Sequence, residues 1–255
     1  MKKNKIIIGI LSLCLVVAVT AGISLAYLSD SAIKTNTFIV GSDVDIDIEE
    51  PEWPDNPPPV NPGTTMMKDP TIVAKAGDSY ARMKVEIKDY ATGAIITDAA
   101  RVAKIMETVY YDDTYAWDAT ANSDVGGYVT TKIIPGNKYA TGDLTTFSRI
   151  NETEFELDST RSVNTGVFYY NYINAATNNI LKTTTPENRA VLFTNVVVPT
   201  DWDKDEINLI RGTEKHLNDG KSGFQIIVTA QAIQIDGFKN AEEAYTALDA
   251  AIVNP

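Results

Sequence analysis

His216, the only histidine in this 255-residue chain, lies in the polar stretch RGTEKHLNDGKSG. A catalytic histidine needs a nucleophile and an orienting carboxylate, or further metal ligands, and neither G-x-S-x-G nor H-E-x-x-H occurs in the sequence. Cys14 is the only cysteine, which excludes an intrachain disulfide and leaves almost no basis for a Cys/His metal site. His216 is therefore predicted to be an ordinary surface residue.

A run of alternating carboxylates is the next group that could do chemistry. Asp43, Asp45 and Asp47 could offer oxygen ligands to Ca²⁺. Alternate residues of a strand lie about 7 Å apart, however, so one ion bridges them only with the help of a turn. The residues between these aspartates are aliphatic: Val44, Ile46 and Ile48. This alternation predicts a strand with one buried and one solvated face, and calcium binding is the weaker alternative.

Aromatic and acidic residues cluster between positions 110 and 118. Tyr111, Tyr115 and Trp117 could form a platform for a carbohydrate, because flat aromatic faces stack on sugar rings. The stronger prediction is a loop whose aromatic residues pack onto the protein. Carboxylates for glycoside hydrolysis cannot be identified among the 34 acidic residues without geometry.

The overall charge excludes one class of partner. The chain has 22 basic and 34 acidic residues, a net charge of −12, so nothing is available to neutralise a run of phosphates and nucleic acid is not a predicted partner. Its 44% of hydrophobic residues rules out bulk disorder. No cofactor is predicted.

Residues 1–26 have the pattern of an export signal, with three lysines before a long apolar stretch. Small residues precede a cleavage site that we predict between Ala26 and Tyr27. The alternative is an uncleaved membrane anchor, which would be the only membrane contact. Cleavage removes three lysines and no acidic residue, which leaves 19 basic and 34 acidic residues, a net charge of −15 and no cysteine.

The mature chain is predicted to be mostly β. Residues 27–48 contain an N-terminal segment and the first strand, residues 49–63 hold six of the eleven prolines and form a rigid connector, and residues 64–255 complete the domain. Further strands are predicted at residues 71–75, 80–88, 128–134, 163–173, 190–198 and 224–235. Helices are predicted at residues 98–109, at residues 203–210 and after Asn240, which can cap a helix with Glu243 at its third position. The expected fold is an all-β, jelly-roll-like sandwich with a few peripheral helices.

Three stretches resemble a known family. LAYLSDSAIKTNTFIVGSDVDIDI, residues 25–48, resembles the N-terminal signature of the SipW-dependent secreted proteins of Firmicutes, which include the biofilm fibre protein TasA and the camelysin group. The stretch KDPTIVAKAGDSYARMKVEI, residues 68–87, with its Tyr-x-Arg at Tyr80 and Arg82, is similar to the next block of that family. The stretch FQIIVTAQAIQIDGFKNAEEAYTAL, residues 224–248, resembles its last strand and terminal helix. Together they cover about 70 residues.

The resemblance implies a jelly-roll protein that an ER-type signal peptidase processes and that reaches the Gram-positive cell surface or biofilm matrix. TasA-like subunits polymerise when the freed N-terminal segment inserts as a strand into the next subunit, so the partner would be another copy or a related matrix subunit. Residues 27–38 suit this role because they contain no proline. Their apolar members are the candidate contacts of the donor strand: Tyr27, Leu28, Ile33 and Phe38. The alternative is that this segment is the first strand of its own domain.

The functional expectation is a secreted fibre subunit and not an enzyme. The camelysin group carries a metalloprotease label, but this chain has one histidine and loses its only cysteine on processing, so it lacks the usual ligands of catalytic zinc. A surface adhesin or glycan-binding module is the alternative function. A secreted hydrolase ranks third.

Overall fold

The structure is a computed structural model, and it describes residues 29–32, 44–50, 61–112, 115–118, 127–130, 150–162, 165–184, 188–218 and 220–253. Most of its regular structure is antiparallel β-sheet, and three short helices accompany the strands. The predicted all-β class is confirmed at this level. None of the helices in the described ranges is long and apolar enough to cross a membrane.

Thirteen strands and three α-helices make up the described elements. The strands are β1 (Ser29–Ala32), β2 (Asp45–Glu49), β3 (Thr65–Met67), β4 (Thr71–Ala76), β5 (Ser79–Asp89), β6 (Val109–Tyr110), β7 (Tyr115–Asp118), β8 (Gly127–Thr130), β9 (Phe155–Leu157), β10 (Val167–Tyr172), β11 (Arg189–Val191), β12 (Asn195–Val197) and β13 (Phe224–Gln234). The helices are α1 (Ala99–Met106), α2 (Lys204–Arg211) and α3 (Ala241–Val253).

A five-stranded sheet in the order β1-β13-β5-β10-β9 is the largest unit. Its centre is the pair β5 and β13, which are hydrogen-bonded partners over all eleven residues of each strand. Two three-stranded sheets, β11-β4-β2 and β3-β12-β6, and the hairpin β7-β8 complete the topology. The main hydrophobic core contains the alternate residues of β5 that point away from α3: Ala81, Met83, Val85 and Ile87.

The alternation predicted for the acidic strand is present in β2. Val44, Ile46 and Ile48 are buried, whereas Asp45 and Asp47 are exposed. A strand with this pattern buries its aliphatic face against the core and leaves its carboxylates in water. Most of the predicted proline-rich connector, residues 51–60, lies outside the described residues.

The prediction of one strand over residues 190–198 is wrong. The chain forms two short strands there, β11 paired with β4 and β12 paired with β3 and β6, in separate sheets. Between these strands, where the chain passes from one sheet to the other, the Leu192 N–H donates to Pro70 O at 3.0 Å. Every residue of this stretch is buried, including the polar pair Thr194 and Asn195 at the crossing, so no exposed residue interrupts the pattern there.

The helices begin at side-chain caps. Asp203 caps α2 by accepting from the N–H groups of Asp205 and Glu206, and Glu206 accepts in return from the Asp203 N–H at 2.9 Å. The predicted cap of α3 is confirmed, because Asn240 Oδ1 accepts from the Glu243 N–H at 2.9 Å. These caps fix where α2 and α3 start, and α3 then lies across β5 and β13.

Candidate functional site

The first strand of the described chain lies on one edge of the five-stranded sheet. β1 pairs antiparallel with β13, from Ser29 opposite Ile233 to Ala32 opposite Ala230. It therefore covers only four of the eleven residues of β13. This is the pairing expected of an ordinary first strand within its own domain, and it places the N-terminal segment beside the strand to which a donated strand would add.

The rest of the β13 edge, from Phe224 to Thr229, has no partner strand among the described residues. On the neighbouring strand, Ile87 N–H donates to Gly166 O at 2.8 Å and Ile87 O accepts from Ile96 N–H at 2.9 Å, so both groups face away from β13. Ile226, opposite Ile87, must then turn its own N–H and C=O away from β5.

Because these directions alternate along a strand, Phe224, Ile226 and Val228 all present their main-chain groups at the open edge. No hydrogen bond to these groups occurs within the described part of the chain. A row of such groups is a template for another strand.

The side chains along this edge become less buried towards the start of β13. Val228 to Ile233 are buried, whereas Phe224, Ile226 and Ile227 are only half-buried. Phe224 and Ile226 pack against the main core from the side. Unpaired main-chain groups and half-buried apolar side chains thus coincide over the same residues. This combination can bind an extended segment through backbone hydrogen bonds and apolar contacts.

Arg101 on α1 holds the start of the open edge in place. Its guanidinium donates to Gly223 O, the residue before β13, at 3.0 Å, and to Arg211 O at the end of α2 at 3.1 Å. It also pairs with Asp89 Oδ2 at 2.7 Å. Burial alone would raise the pKa of Asp89, but the hydrogen bonds from Arg101 and from the Thr92 and Ala91 backbone lower it overall. The charged pair therefore stays ionised and fixes the first residues of the edge.

The other edge of the same sheet is short and closed. β9 has three residues, and the chain turns away directly after it. Asp158 makes this turn, because its Oδ1 accepts from the N–H groups of Thr160 and Arg161 at 3.0 and 3.1 Å. Short edges that turn away protect a sheet from further pairing. Within the described residues, the longer stretch without a partner strand is therefore that of β13.

An ion network with a fully buried arginine joins the sheet to α3 at the part of β13 that β1 covers. Arg82 on β5 is fully buried; it donates to Gln231 Oε1 of β13 at 2.8 Å and pairs with Asp249 of α3. Asp249 also pairs with Arg161 at 2.6 Å, and Arg161 pairs with Asp158 at 2.7 Å. Burial works against the ionised form of Asp249, but the two arginines lower its pKa. The network fixes β13 and α3 to each other through charges that water does not reach freely.

Among the described carboxyl groups, that of Glu154, in the turn before β9, lies in the environment that opposes ionisation most strongly. Asn151 Nδ2 donates to it at 2.6 Å, and the Val191 backbone provides a further hydrogen bond. Burial outweighs these bonds and raises the pKa of Glu154 from 4.5 to about 7. The folded protein therefore binds this proton more tightly than the unfolded chain does.

Glu154→Gln is expected to remove a pH dependence of stability. The contribution of the protonated carboxyl is fully present below pH 4.5 and is lost as the pH rises through about 7. Wild-type protein should lose about 2–3 kcal/mol of unfolding free energy between pH 5 and pH 8 through this group. The variant should show a flatter profile in urea unfolding, whereas the exposed Glu156→Gln should keep the wild-type slope. Equal slopes for Glu154→Gln and wild type would contradict the assignment.

Most predicted donor-strand residues lie outside the described residues. The structure describes none of the four predicted contacts of the donor strand, Tyr27, Leu28, Ile33 and Phe38. The predicted cleavage site at Ala26 also lies outside the described residues. The described part of that segment is β1 alone, whose backbone pairs with β13.

The candidate glycan residues divide between two places. Tyr111 is half-buried and packs with Met67 against Val191, so it contributes to the packing of the protein. Tyr115 and Trp117 lie two residues apart on β7, opposite Thr130 and Tyr128 of β8. The structure thus joins the latter two on one hairpin and separates Tyr111 from them by residues 113 and 114, which it does not describe.

The candidate metal ligands do not converge in the described chain. Asp45 and Asp47 are exposed on β2, and Asp43 lies outside the described residues. Within those residues, no group of three or more His, Cys, Asp or Glu side chains is placed to hold a metal ion. His216 is partly exposed, and its ring lies 5.1 Å from that of Tyr90.

The open β13 edge and its supports were not predicted from the sequence. The strand itself was predicted, but which of its residues have a partner strand among the described residues depends on its pairing with β1. Arg82 stood in the Tyr-x-Arg block, and a fully buried arginine was not expected there. The sequence did contain a signal for this buried arginine, because a charged residue stands there between the apolar residues of a predicted strand. Comparisons of this chain with protein-family models, curated proteins and solved structures found no match.

Proposed function

We propose that this protein is a secreted structural subunit of extracellular fibres, in which residues 27–38 of one copy add as a strand to β13 of the next. The single observation that carries the proposal is the open edge from Phe224 to Thr229, directly beside the four residues of β13 that β1 covers. Backbone pairing along an exposed edge gives affinity, and alternate side chains give register. No catalytic group is part of this role.

The register of β1 defines where a longer added strand would pair with β13. The paired residue numbers in β1 and β13 have a constant sum, from Ser29 and Ile233 to Ala32 and Ala230. Continued at the same register, the pairing would place Tyr27 opposite Ile235 and Phe38 opposite Phe224. A segment of twelve residues thus has the same length as the stretch 224–235 that it would cover.

In this register the apolar residues of the donor fall on both sides of the sheet. Directly opposed residues share a face, so Leu28 and Phe38 would lie on the face of Ala230, and Tyr27 and Ile33 on the face of Ile233. Ala230 belongs to the main core and Ile233 to the cluster under α3. Apolar residues near the two ends of the segment would then hold it in place.

The exchange of one strand between identical copies favours a linear polymer. A copy that keeps β1 on its own β13 is self-complemented, and one that donates the segment leaves its own edge open for another copy. If each copy gives one donor segment and accepts one at β13, contacts run head to tail and the assembly grows without branching. The proposal includes a jelly-roll arrangement of the sheets, membership of the SipW-dependent family, and export with cleavage after Ala26.

Deletion of residues 27–38 is expected to abolish assembly. The mature protein beginning at Tyr27 should form fibres visible by electron microscopy, whereas the shortened protein should stay monomeric in sedimentation velocity. A synthetic peptide of residues 27–38 should cap the open edge of the shortened protein and bind it one to one in titration calorimetry. A peptide of the same composition in scrambled order is the control. Fibres from the shortened protein would reject the donor-strand mechanism.

The export part of the proposal has its own measurement. Mass spectrometry of the protein recovered from the medium of a Gram-positive host should give a mature N-terminus at Tyr27. Recovery only from the membrane fraction with an intact N-terminus would support the uncleaved anchor instead.

A further inference from the structure

Five polar side chains form an almost closed ring of hydrogen bonds where the large sheet meets α3. Arg82 of β5 donates through Nη2 to Asp249 Oδ1 of α3. Asp249 Oδ2 accepts from Arg161 Nε at 2.6 Å, and Arg161 Nη1 donates to Asp158 Oδ2 at 2.7 Å. The same Asp158 oxygen accepts from Asn171 Nδ2 of β10 at 3.1 Å. Asn171 lies directly opposite Arg82 in the pairing of β10 with β5, so this chain of bonds begins and ends on facing residues.

Each end of the ring has one buried atom without a hydrogen-bond partner among the described residues. These atoms are Arg82 Nη1 and Asn171 Oδ1, and the whole Arg82 side chain is buried. The main chain of Ile87 faces β10, so that of Arg82, five residues away, faces β13. Arg82 and Asn171 are therefore a pair without main-chain bonds to each other, the kind whose side chains lie closest. One atom is a donor and the other an acceptor, so a single group can satisfy both.

The guanidinium of Arg82 is held by its other contacts. It is planar, and two of its nitrogens are already bound, because Nε donates to Gln231 Oε1 at 2.8 Å and Nη2 donates to Asp249. The ring centres of Tyr169 and Tyr245 lie 4.8 and 5.5 Å from Arg82 Cζ, so aromatic side chains pack against the same group. These contacts fix the direction in which Nη1 points.

The amide of Asn171 is also held in one orientation. Burial alone would raise the pKa of Asp158, but the hydrogen bonds that it accepts from Thr160 and Arg161, among others, keep this pKa well below its usual range. An ionised carboxylate only accepts hydrogen bonds, so Asn171 turns its NH₂ group towards Asp158. Its Oδ1 is thereby left for a different partner, one that donates.

We propose that one internal water molecule joins Arg82 Nη1 to Asn171 Oδ1 and closes the ring. Water accepts from the guanidinium and donates to the amide oxygen, and two such partners are enough to hold a buried water. The ring contains two guanidinium groups and two carboxylates, so an ion in this place would add a charge that nothing balances. Glu242, which also pairs with Arg161, is 68% exposed and lies at the outer side of the ring.

The water makes the ring continuous across four parts of the fold: β5, β10, the turn after β9, and α3. It supplies the hydrogen bonds that the two buried atoms would otherwise lack, and a buried water with such a role is costly to remove. This inference concerns the single copy and holds whether or not strand donation occurs, so fibre formation has no bearing on it.

A crystal structure of the protein at a resolution that shows ordered water tests the site directly. We expect one water oxygen within about 3.2 Å of both Arg82 Nη1 and Asn171 Oδ1. A direct bond between these two atoms, an ion in this place, or the absence of density between them would overturn the proposal.

Oxygen-17 magnetic relaxation dispersion tests the site in solution, because its amplitude counts water molecules that stay bound for long times. Asn171→Leu keeps the branched shape of the side chain but removes the acceptor, and it should lower the amplitude by the equivalent of one water. Arg82→Met removes the donor instead and should lower it by the same amount. Asn208→Leu, at an exposed position of α2, is the control and should keep the wild-type amplitude. Wild-type amplitude in a folded Asn171→Leu or Arg82→Met protein would reject the bridging water.

Discussion

Asp249→Ala is expected to cost about 3–5 kcal/mol of unfolding free energy, because it leaves the fully buried guanidinium of Arg82 without a carboxylate partner. Asp249 is itself 39% exposed, so its own desolvation is incomplete and the penalty comes from Arg82. Arg82 also contacts Gln231 and the ring of Tyr169, whose centre lies 4.8 Å from Arg82 Cζ. Neither of these side chains carries a negative charge that could balance that of the guanidinium. Urea unfolding followed by circular dichroism measures the change.

A double-mutant cycle tests whether the unpaired charge is the cause. Arg82→Met removes the charge and keeps most of the volume, so the double variant with Asp249→Ala should be more stable than the sum of the two single losses predicts. Lys75→Ala, which breaks an exposed pair with Glu49, is the control and should cost no more than about 1 kcal/mol. Additive losses for Arg82→Met and Asp249→Ala would show that the pair is not coupled.

Ile226→Pro is expected to abolish fibre formation while the monomer stays folded. The Ile226 N–H faces away from β5, so proline removes a donor that no described residue uses and that an added strand would use. Proline is tolerated on edge strands for the same reason. Fibre mass, measured by sedimentation, should fall to the background level at concentrations at which wild type assembles fully.

The neighbouring position provides the control for Ile226→Pro. Ile227 N–H faces β5, so Ile227→Pro removes a hydrogen bond within the central pair and should unfold or strongly destabilise the monomer. The contrast between the two variants, one residue apart, identifies the open side of β13. If Ile226→Pro assembles like wild type, strand addition does not occur at this edge.

Local patterns in the sequence determined several parts of the fold. The alternation around Ile46 and Ile48 predicted the buried face of β2, because a strand has a period of two and the solvent on one side demands polar residues. The Asn240 cap predicted the start of α3, because capping depends on residues only three positions apart. In both cases the physical cause lies within a few residues along the chain.

Where every residue of a stretch is buried, the pattern carries no such information. Residues 190–198 are all buried, and the polar pair Thr194 and Asn195 is as buried as its apolar neighbours, so burial does not mark where one strand ends and the next begins. Only the pairing of β11 with β4 and of β12 with β3 decides that the chain changes sheets between these two strands. That choice depends on residues more than a hundred positions away.

The candidate site, like the change of sheets at residues 190–198, depends on contacts between residues far apart in the sequence. The scarcity of histidine and cysteine, the acidic charge and the export pattern are properties of the sequence alone, and they direct attention away from catalysis. That part of β13 has no partner strand among the described residues follows only from the pairing of the strands, and the contacts of β13 with Arg101 and Arg82 come from residues far away in the sequence. Main-chain groups are the same in every residue, so no residue type marks the ones that lack a partner, and tertiary structure alone reveals them.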